Sequence, residues 1–191
     1  NNNGEIFFID PPDYESGKTS YFFSPKVSDG ELSDIIAYMR IDITDINETP
    51  IFTSSDTSIV EENAYTTTVI YDTEVADPDV DTLTYSVSGT DQAYVTIDSD
   101  DGEVRLINSA DYENKDSYTF DITVSDGELS DTKTVNLSVI DINDAPIING
   151  SYTTSFRENS SVDTIIYDTD ASDQDGDDLT YSVSTGTDIT A

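Results

Sequence analysis

The chain repeats itself. Val60–Ser88 reads VEENAYTTTVIYDTEVADPDVDTLTYSVS and Phe156–Ser184 reads FRENSSVDTIIYDTDASDQDGDDLTYSVS, at a constant offset of 96 residues. Gly102–Pro146 is matched by Gly4–Pro50, at an offset that drifts from 98 to 96 through two one-residue length changes. A fixed period of this kind marks an array of like units. Within the 191 residues, 51–146 is one complete unit, 1–50 is the back half of another, and 147–191 is the front half of a third. Thr187–Ala191 followed by Asn1–Phe8 reads like the stretch that ends in VRL at Leu106. The two ends are therefore expected to complete one module with neighbouring identical copies, head to tail. The link is either covalent, in tandem, or a strand complementation between subunits.

Within a unit the periodicity is that of a strand. Tyr118, Phe120, Ile122 and Val124 alternate with Thr119, Asp121 and Thr123; Val135, Leu137 and Val139 alternate with Asn136 and Ser138. A period of two puts one face of each run into a core. Asp101–Gly102 and Asp126–Gly127 fall between such runs and read as hairpin turns. Strands are expected near 57–60, 66–72, 83–88, 94–97, 103–107, 118–124 and 133–140. Seven short strands in about 100 residues fit an all-β, seven-stranded Greek-key sandwich of Ig-like type, joined end to end with its neighbours. Pro25 stands where the complete unit has Ile122, so that strand should be irregular or at an edge, because proline has no ladder donor.

Composition closes off several functions. There are 41 Asp and Glu against 7 Lys and Arg, a net charge of −34, with no Cys, His or Trp. The charge excludes a binder of nucleic-acid backbone. The missing Cys and His remove disulfides, thiol chemistry and the commonest general base. No apolar run approaches the length of a membrane span. Disorder is opposed by the 35% apolar content and its patterning. Carboxylate pairs of the kind used in glycoside hydrolysis are inevitable in so acidic a chain, and an enzyme is not expected.

The acids recur in four clusters. These are Glu62–Asn63 and Glu158–Asn159; Asp111–Glu113 and Asp13–Glu15; Asp141–Asp144 and Asp45–Glu48, each just before a proline; and Asp77–Asp79 and Asp173–Asp175. The ordered set of xEN, LTYSV, DYE, TVSDG and DxND-x-P, at this period, resembles the cadherin repeat in its bacterial cadherin-like form. The resemblance implies calcium ions at each junction between sandwiches and a stalk or adhesive role outside the cell, on the cell surface or in a secreted matrix. It also implies that Asp126 contributes as a ligand; on its own, Asp126 reads equally well as a turn residue. Family linkers usually carry a further Asn where Thr49 and Ala145 stand here, which puts one ligand per junction in doubt.

In a sandwich of this topology, loops and strand ends gather at shared poles. One junction would collect Glu62, Asp111, Glu113, Asp141, Asn143, Asp144, Asp173 and Asp175; the other Asp13, Glu15, Asp45, Asn47, Glu48, Asp77 and Asp79. Glu158 and Asp29 would serve the same roles in modules completed by neighbouring copies. Two like charges 4 Å apart repel by ~1 kcal/mol in water and ~4 kcal/mol at an effective dielectric of 20, so such clusters splay unless cations bind. Oxygen-only ligands of this number suit Ca²⁺ better than Mg²⁺. Two or three calcium ions per junction are expected. Asp81, Asp177 and Asp178 extend the acidic loops and are read chiefly as solvated charge. The alternative function is a glycan- or protein-binding accessory module of a secreted protein, with other cell-surface adhesins or glycans as partners.

Overall fold

The computed structural model describes residues 4–36, 38–150 and 153–183. The ends at which neighbouring copies were expected to join, 1–3 and 184–191, lie outside the described residues. The described chain is β throughout, apart from one 3₁₀ turn at Gln92–Tyr94. Residues before the complete unit carry β1 (Ser20–Phe23), β2 (Lys26–Ser28), β3 (Ser33–Ile35) and β4 (Met39–Asp42). The complete unit carries β5 (Ile51–Phe52), β6 (Thr57–Glu61), β7 (Val75–Ala76), β8 (Thr84–Ser88), β9 (Val95–Ile97), β10 (Val104–Leu106), β11 (Ser117–Ser125) and β12 (Ser130–Ile140). Beyond it lie β13 (Ile147–Asn149) and β14 (Asp170–Ser172).

The complete unit is organised by the β11–β12 hairpin. Its register runs from Ser117↔Ser138 to Ser125↔Ser130, and the loop is closed by Asp126 and Gly127, the latter at φ 101°. β6 pairs with β12 in parallel and β8 pairs with β11 antiparallel, giving a four-stranded sheet in the order β6-β12-β11-β8. The alternation works as the sequence requires: Tyr118, Phe120, Ile122 and Val124 are buried on β11, and Val135, Leu137 and Val139 on β12. Facing them are Ile70, Tyr71, Val95, Val104, Leu106 and Ala110, with Val60 from β6. Fully burying one such apolar side chain stabilises the fold by ~1.5–3 kcal/mol, so this cluster holds the two layers together. The opposite layer is assembled from shorter pieces: β5 with β7, β9 with β10, and a single bridge Tyr71↔Val104.

Two differences from the sequence expectation have physical causes. The expected strand at 66–72 is absent. Thr68 N–H donates to Tyr65 O to make a turn, and Thr66–Thr68 are exposed. Pairing is confined to Ile70 N–H→Val104 O and Val104 N–H→Tyr71 O. The segment is rich in β-branched residues, but its buried pair, Ile70 and Tyr71, is consecutive and not alternating, so it cannot lie along one sheet face. The second difference is at the front of the unit, where β5 pairs with β7 and β6 pairs with β12. One stretch of chain thus supplies an edge to each layer, which short strands without alternation do not announce.

Pro25 behaves as expected. The long strand of the complete unit is broken here into β1 and β2 on either side of Ser24 and Pro25, and the Pro25 carbonyl accepts from Ile36 N–H. Gly102, at φ 76°, closes the β9–β10 hairpin. A Cβ there would meet Thr73 Cβ at 2.8 Å and the Tyr85 ring at 3.1 Å, so both space and conformation require glycine.

Candidate metal centre

The acidic clusters lie at the two ends of β12. Asp126 precedes its first residue and Asp141 follows its last, so the 11-residue strand separates them by roughly 35 Å.

At the far end, Glu62, Glu113, Asp141 and Asp175 each bring a carboxylate oxygen within 4.8 Å of the others. Glu62 is the anchor. It is only 3% exposed. Its Oε2 accepts from Tyr112 N–H at 2.9 Å and its Oε1 from Ile142 N–H at 2.8 Å. One side chain therefore ties together the end of β6, the Asp111–Glu113 turn and the linker. The left-handed φ of 58° at Asn63 turns the chain away directly afterwards, and its amide donates to Asp144 Oδ1 at 2.9 Å. The linker reaches the next unit through Asp144 N–H, which donates to Asp175 Oδ2 at 2.7 Å. Asp111 and Glu113 both accept from the Gln174 amide, at 2.8 and 3.3 Å. Asn143 and Asp173 are engaged locally, Asn143 donating to Asp144 O and Asp173 accepting from Asp177 N–H.

The near end repeats this arrangement one period earlier. Glu48 N–H donates to Asp79 Oδ2 at 2.7 Å, the same contact as that between Asp144 and Asp175. Glu15, Asp45 and Asp79 converge within 4.8 Å, and Asp77, Asp79 and Asp81 form an adjoining group sharing Asp79. Asp77 Oδ2 is buried without a hydrogen-bond partner. Asp81 belongs with these ligand candidates; the sequence reading treated it chiefly as solvated charge. The signal for it was present, as the third acid in an alternating Asp77-Asp79-Asp81 series whose carboxylates the loop brings within 4.8 Å of one another. Asp13 is held in a turn, accepting from Ser16 N–H.

Asp126 is a turn residue that also reaches across the junction, and it joins no carboxylate group among the described residues. Its Oδ1 accepts from Glu128 N–H and Leu129 N–H as a turn residue, and its Oδ2 accepts from the Asn47 amide at 2.9 Å across the junction. Leu129 N–H, the Asn47 amide and Glu128 N–H hold its carboxyl below the usual range. Asp29 occupies the matching turn, accepting from Leu32 and Glu31, and is likewise lowered by them. Neither Asp29 nor Glu158 joins a carboxylate group among the described residues.

The clustered acids behave oppositely. Glu48 is raised by desolvation and then by Asp79, Asp45 and Asp13. Asp141 is raised by desolvation and by Asp175 and Glu62. Glu113 is raised by desolvation and by Glu62, Asp175 and Asp141, against its own backbone N–H. Asp81 is raised by desolvation and by Asp77 and Asp79. Glu15 is raised although its backbone N–H lowers it, because desolvation and the charges of Glu48, Asp45 and Asp79 outweigh that bond. These groups repel one another and hold protons more tightly than free carboxylates do. No lysine or arginine is paired with them in the ion pairs of the described residues. Charge of this kind is stabilised by a cation.

Known proteins bear the fold out. A sequence model of the bacterial Ig domain matches residues 47–138. Human Protocadherin Fat 1 is 32% identical over 147 residues, covering 71% of this chain and 3% of its own length. Cadherin-5 of Danio rerio is 37% identical over 144 residues, covering 71% of this chain and 18% of its own length. The middle module is cadherin-like. The crystal structure of human CDH23 EC21-23 matches 82% of this chain and 54% of its own, at 26% identity and TM-score 0.58. That of Protocadherin Gamma B7 extracellular cadherin domains 1-4 matches 85% of this chain and 42% of its own, at 25% identity and TM-score 0.57. The bacterial Ig domain and the cadherins agree on one architecture, the all-β Ig-like sandwich of the cadherin-like module. This chain spans only a small part of the curated relatives. Among the described residues, no helix is long and apolar enough to cross a membrane.

Proposed function

We propose that the cadherin-like module and its flanking segments form a calcium-stiffened piece of an extracellular stalk or adhesive filament. One observation carries this reading. Four carboxylates from four separate stretches of chain, Glu62, Glu113, Asp141 and Asp175, meet where one unit gives way to the next. The donor set fits calcium. All ligands are hard oxygens, too many and too crowded for the near-octahedral, water-rich shell that Mg²⁺ prefers. At the far end Glu62, Glu113, Asp141 and Asp175 would hold the ion, with Asp111 and Asp144 beside them. At the near end Glu15, Asp45, Asp79, Asp77 and Asp81 would do so, and the unpartnered oxygen of Asp77 is a donor waiting for a cation. The ion supplies positive charge that reverses the mutual repulsion of these acids.

The protein's part is to fix the ligands to elements on both sides of each linker. Calcium then binds the straight junction in preference to the splayed one and shifts the population toward it by that differential affinity. Extracellular modules bind with Kd of about 10⁻⁴–10⁻³ M, suited to extracellular calcium. The likeness to extracellular cadherin domains supports the same location. Limited proteolysis tests the proposal. In millimolar calcium the linkers at 45–50 and 141–146 resist cleavage, and in EDTA they are cut first. Equal cleavage in both would overturn it.

A further inference from the structure

The Asp-x-Asp loops of the two junctions share the same contacts. Asp77 Oδ1 accepts from Asp81 N–H at 3.3 Å, and Asp173 Oδ1 from Asp177 N–H at 3.1 Å. Asp79 Oδ2 and Asp175 Oδ2 each accept a linker N–H at 2.7 Å. The acidic turn opposed to each loop is also alike. Asp13 Oδ1 accepts from Ser16 N–H and Asp111 Oδ1 from Asn114 N–H, both at 3.0 Å. The residue between the two acids departs from this match. It is Pro78 at the near junction and Gln174 at the far one.

The difference is chemical. Gln174 Nε2 donates to Asp111 Oδ1 at 2.8 Å and to Glu113 Oε2 at 3.3 Å, using both hydrogens of its amide. Both acceptors are carboxylates, so only the nitrogen end of the amide can face them. One neutral side chain of the following unit therefore spans two acids of the middle module. Its hydrogens lie against oxygens that repel the rest of the cluster, and bonds to ionised acceptors are the stronger kind. Proline has neither a side-chain donor nor a backbone N–H, so Pro78 offers nothing of this kind to Asp13 and Glu15.

We propose that Gln174 is a clasp that holds the far junction together without a cation, a role that Pro78 cannot fill at the near one. The clasp acts between protein groups and stands apart from the metal. Its consequence for regulation rests on the calcium reading above: the two junctions respond unequally. As calcium falls, the linker at 45–50 loosens first and the linker at 141–146 later. The ion has two separate thresholds along one chain, set by a single residue in each loop.

Limited proteolysis of the 191-residue chain with a broad-specificity protease tests it, from EDTA up to about 10 mM calcium. Cleavage follows the population of the opened linker. In EDTA, Gln174→Leu removes both donors, speeds cleavage at 141–146 about tenfold and leaves 45–50 unchanged. That factor is what one exposed hydrogen bond to a carboxylate contributes. Gln174→Glu sets a like charge beside Asp111 and Glu113 and speeds cleavage further, and calcium restores it, since the new carboxylate is one more oxygen ligand. A side chain that only packed the loop would show no such rescue. Pro78→Gln slows cleavage at 45–50 relative to Pro78→Ala, which controls for loss of the ring. Equal EDTA rates at 141–146 in the native chain and Gln174→Leu overturn the clasp, even where calcium protects both linkers. A Pro78→Gln chain no better protected than Pro78→Ala also overturns it. Calcium that protects neither linker, with the EDTA effects intact, removes the calcium reading and leaves the clasp.

Discussion

Val80 adopts φ 61°, in the left-handed region, where a β-branched residue is rare. It sits in the acidic loop between Asp79 and Asp81, and the matched position one period later is Gly176, at φ 78°. The repeat thus supplies its own control: one backbone shape, with glycine in one copy and valine in the other. The left-handed conformation costs an L-residue about 1–2 kcal/mol, at the upper end for a branched side chain. Val80 is 86% exposed, so no core contact is lost on removing it. Against the relief stands the greater freedom of glycine in the unfolded chain, about 0.5–1 kcal/mol. Val80→Gly is therefore expected to stabilise the middle module by about 1 kcal/mol. With a urea m-value of about 1–1.5 kcal/mol/M, the midpoint rises by about 0.7–1 M. The assay is equilibrium urea unfolding in EDTA, followed by tyrosine fluorescence. The reciprocal Gly176→Val weakens calcium binding at the far cluster, because its loop carries Asp175. A midpoint that stays put or falls in Val80→Gly would refute the strain argument, since no packing loss is available to explain it.

Two further outcomes follow from the clusters. Glu62→Gln removes one of two hydrogen bonds to a charged acceptor, worth about 1.5–3 kcal/mol each, and turns an amide donor toward a backbone N–H. In calcium, urea unfolding shows a loss of about 2–4 kcal/mol; in EDTA the loss is smaller, because one of four mutually repelling charges has gone, and a larger loss in EDTA would contradict the repulsion argument. In the metal-free protein, Glu15, Glu48, Asp81, Glu113 and Asp141 lie above their ordinary values, so the ordered junction binds more protons than the splayed one. Its stability rises as pH falls from 7 into the carboxylate range and is lost as pH rises through the raised values. Proteolysis of the linkers in EDTA should therefore slow on mild acidification, while in calcium the same change speeds it, because protons compete with the ion for the same oxygens.

Much of the module was legible because alternation has one structural meaning. Tyr118 to Val124 and Val135 to Val139 can bury one face only as strands, and they form the hairpin at the centre of the sheet. The turns at Gly102 and Gly127 were equally plain, since both take a positive φ that glycine tolerates. The 66–72 segment misled because propensity was strong while its burial pattern, Ile70 beside Tyr71, answers to a single bridge across to Val104. At the junctions, the recurring clusters were visible as composition at matched positions. Their grouping was not. Glu62 joins the linker through Ile142 N–H, and Asp77, Asp79 and Asp81 share one loop, because contacts across about 80 residues and a tight local turn set those distances.

The period, the alternating strands at the centre of the sheet, the acidity and the chemistry of the donors were thus determined by the sequence alone, since each depends on residue type and spacing. The tertiary structure decided which acids share a site and which carboxyls repel. Burial and like-charge proximity are properties of chain segments brought together across long separations, and no local pattern encodes them.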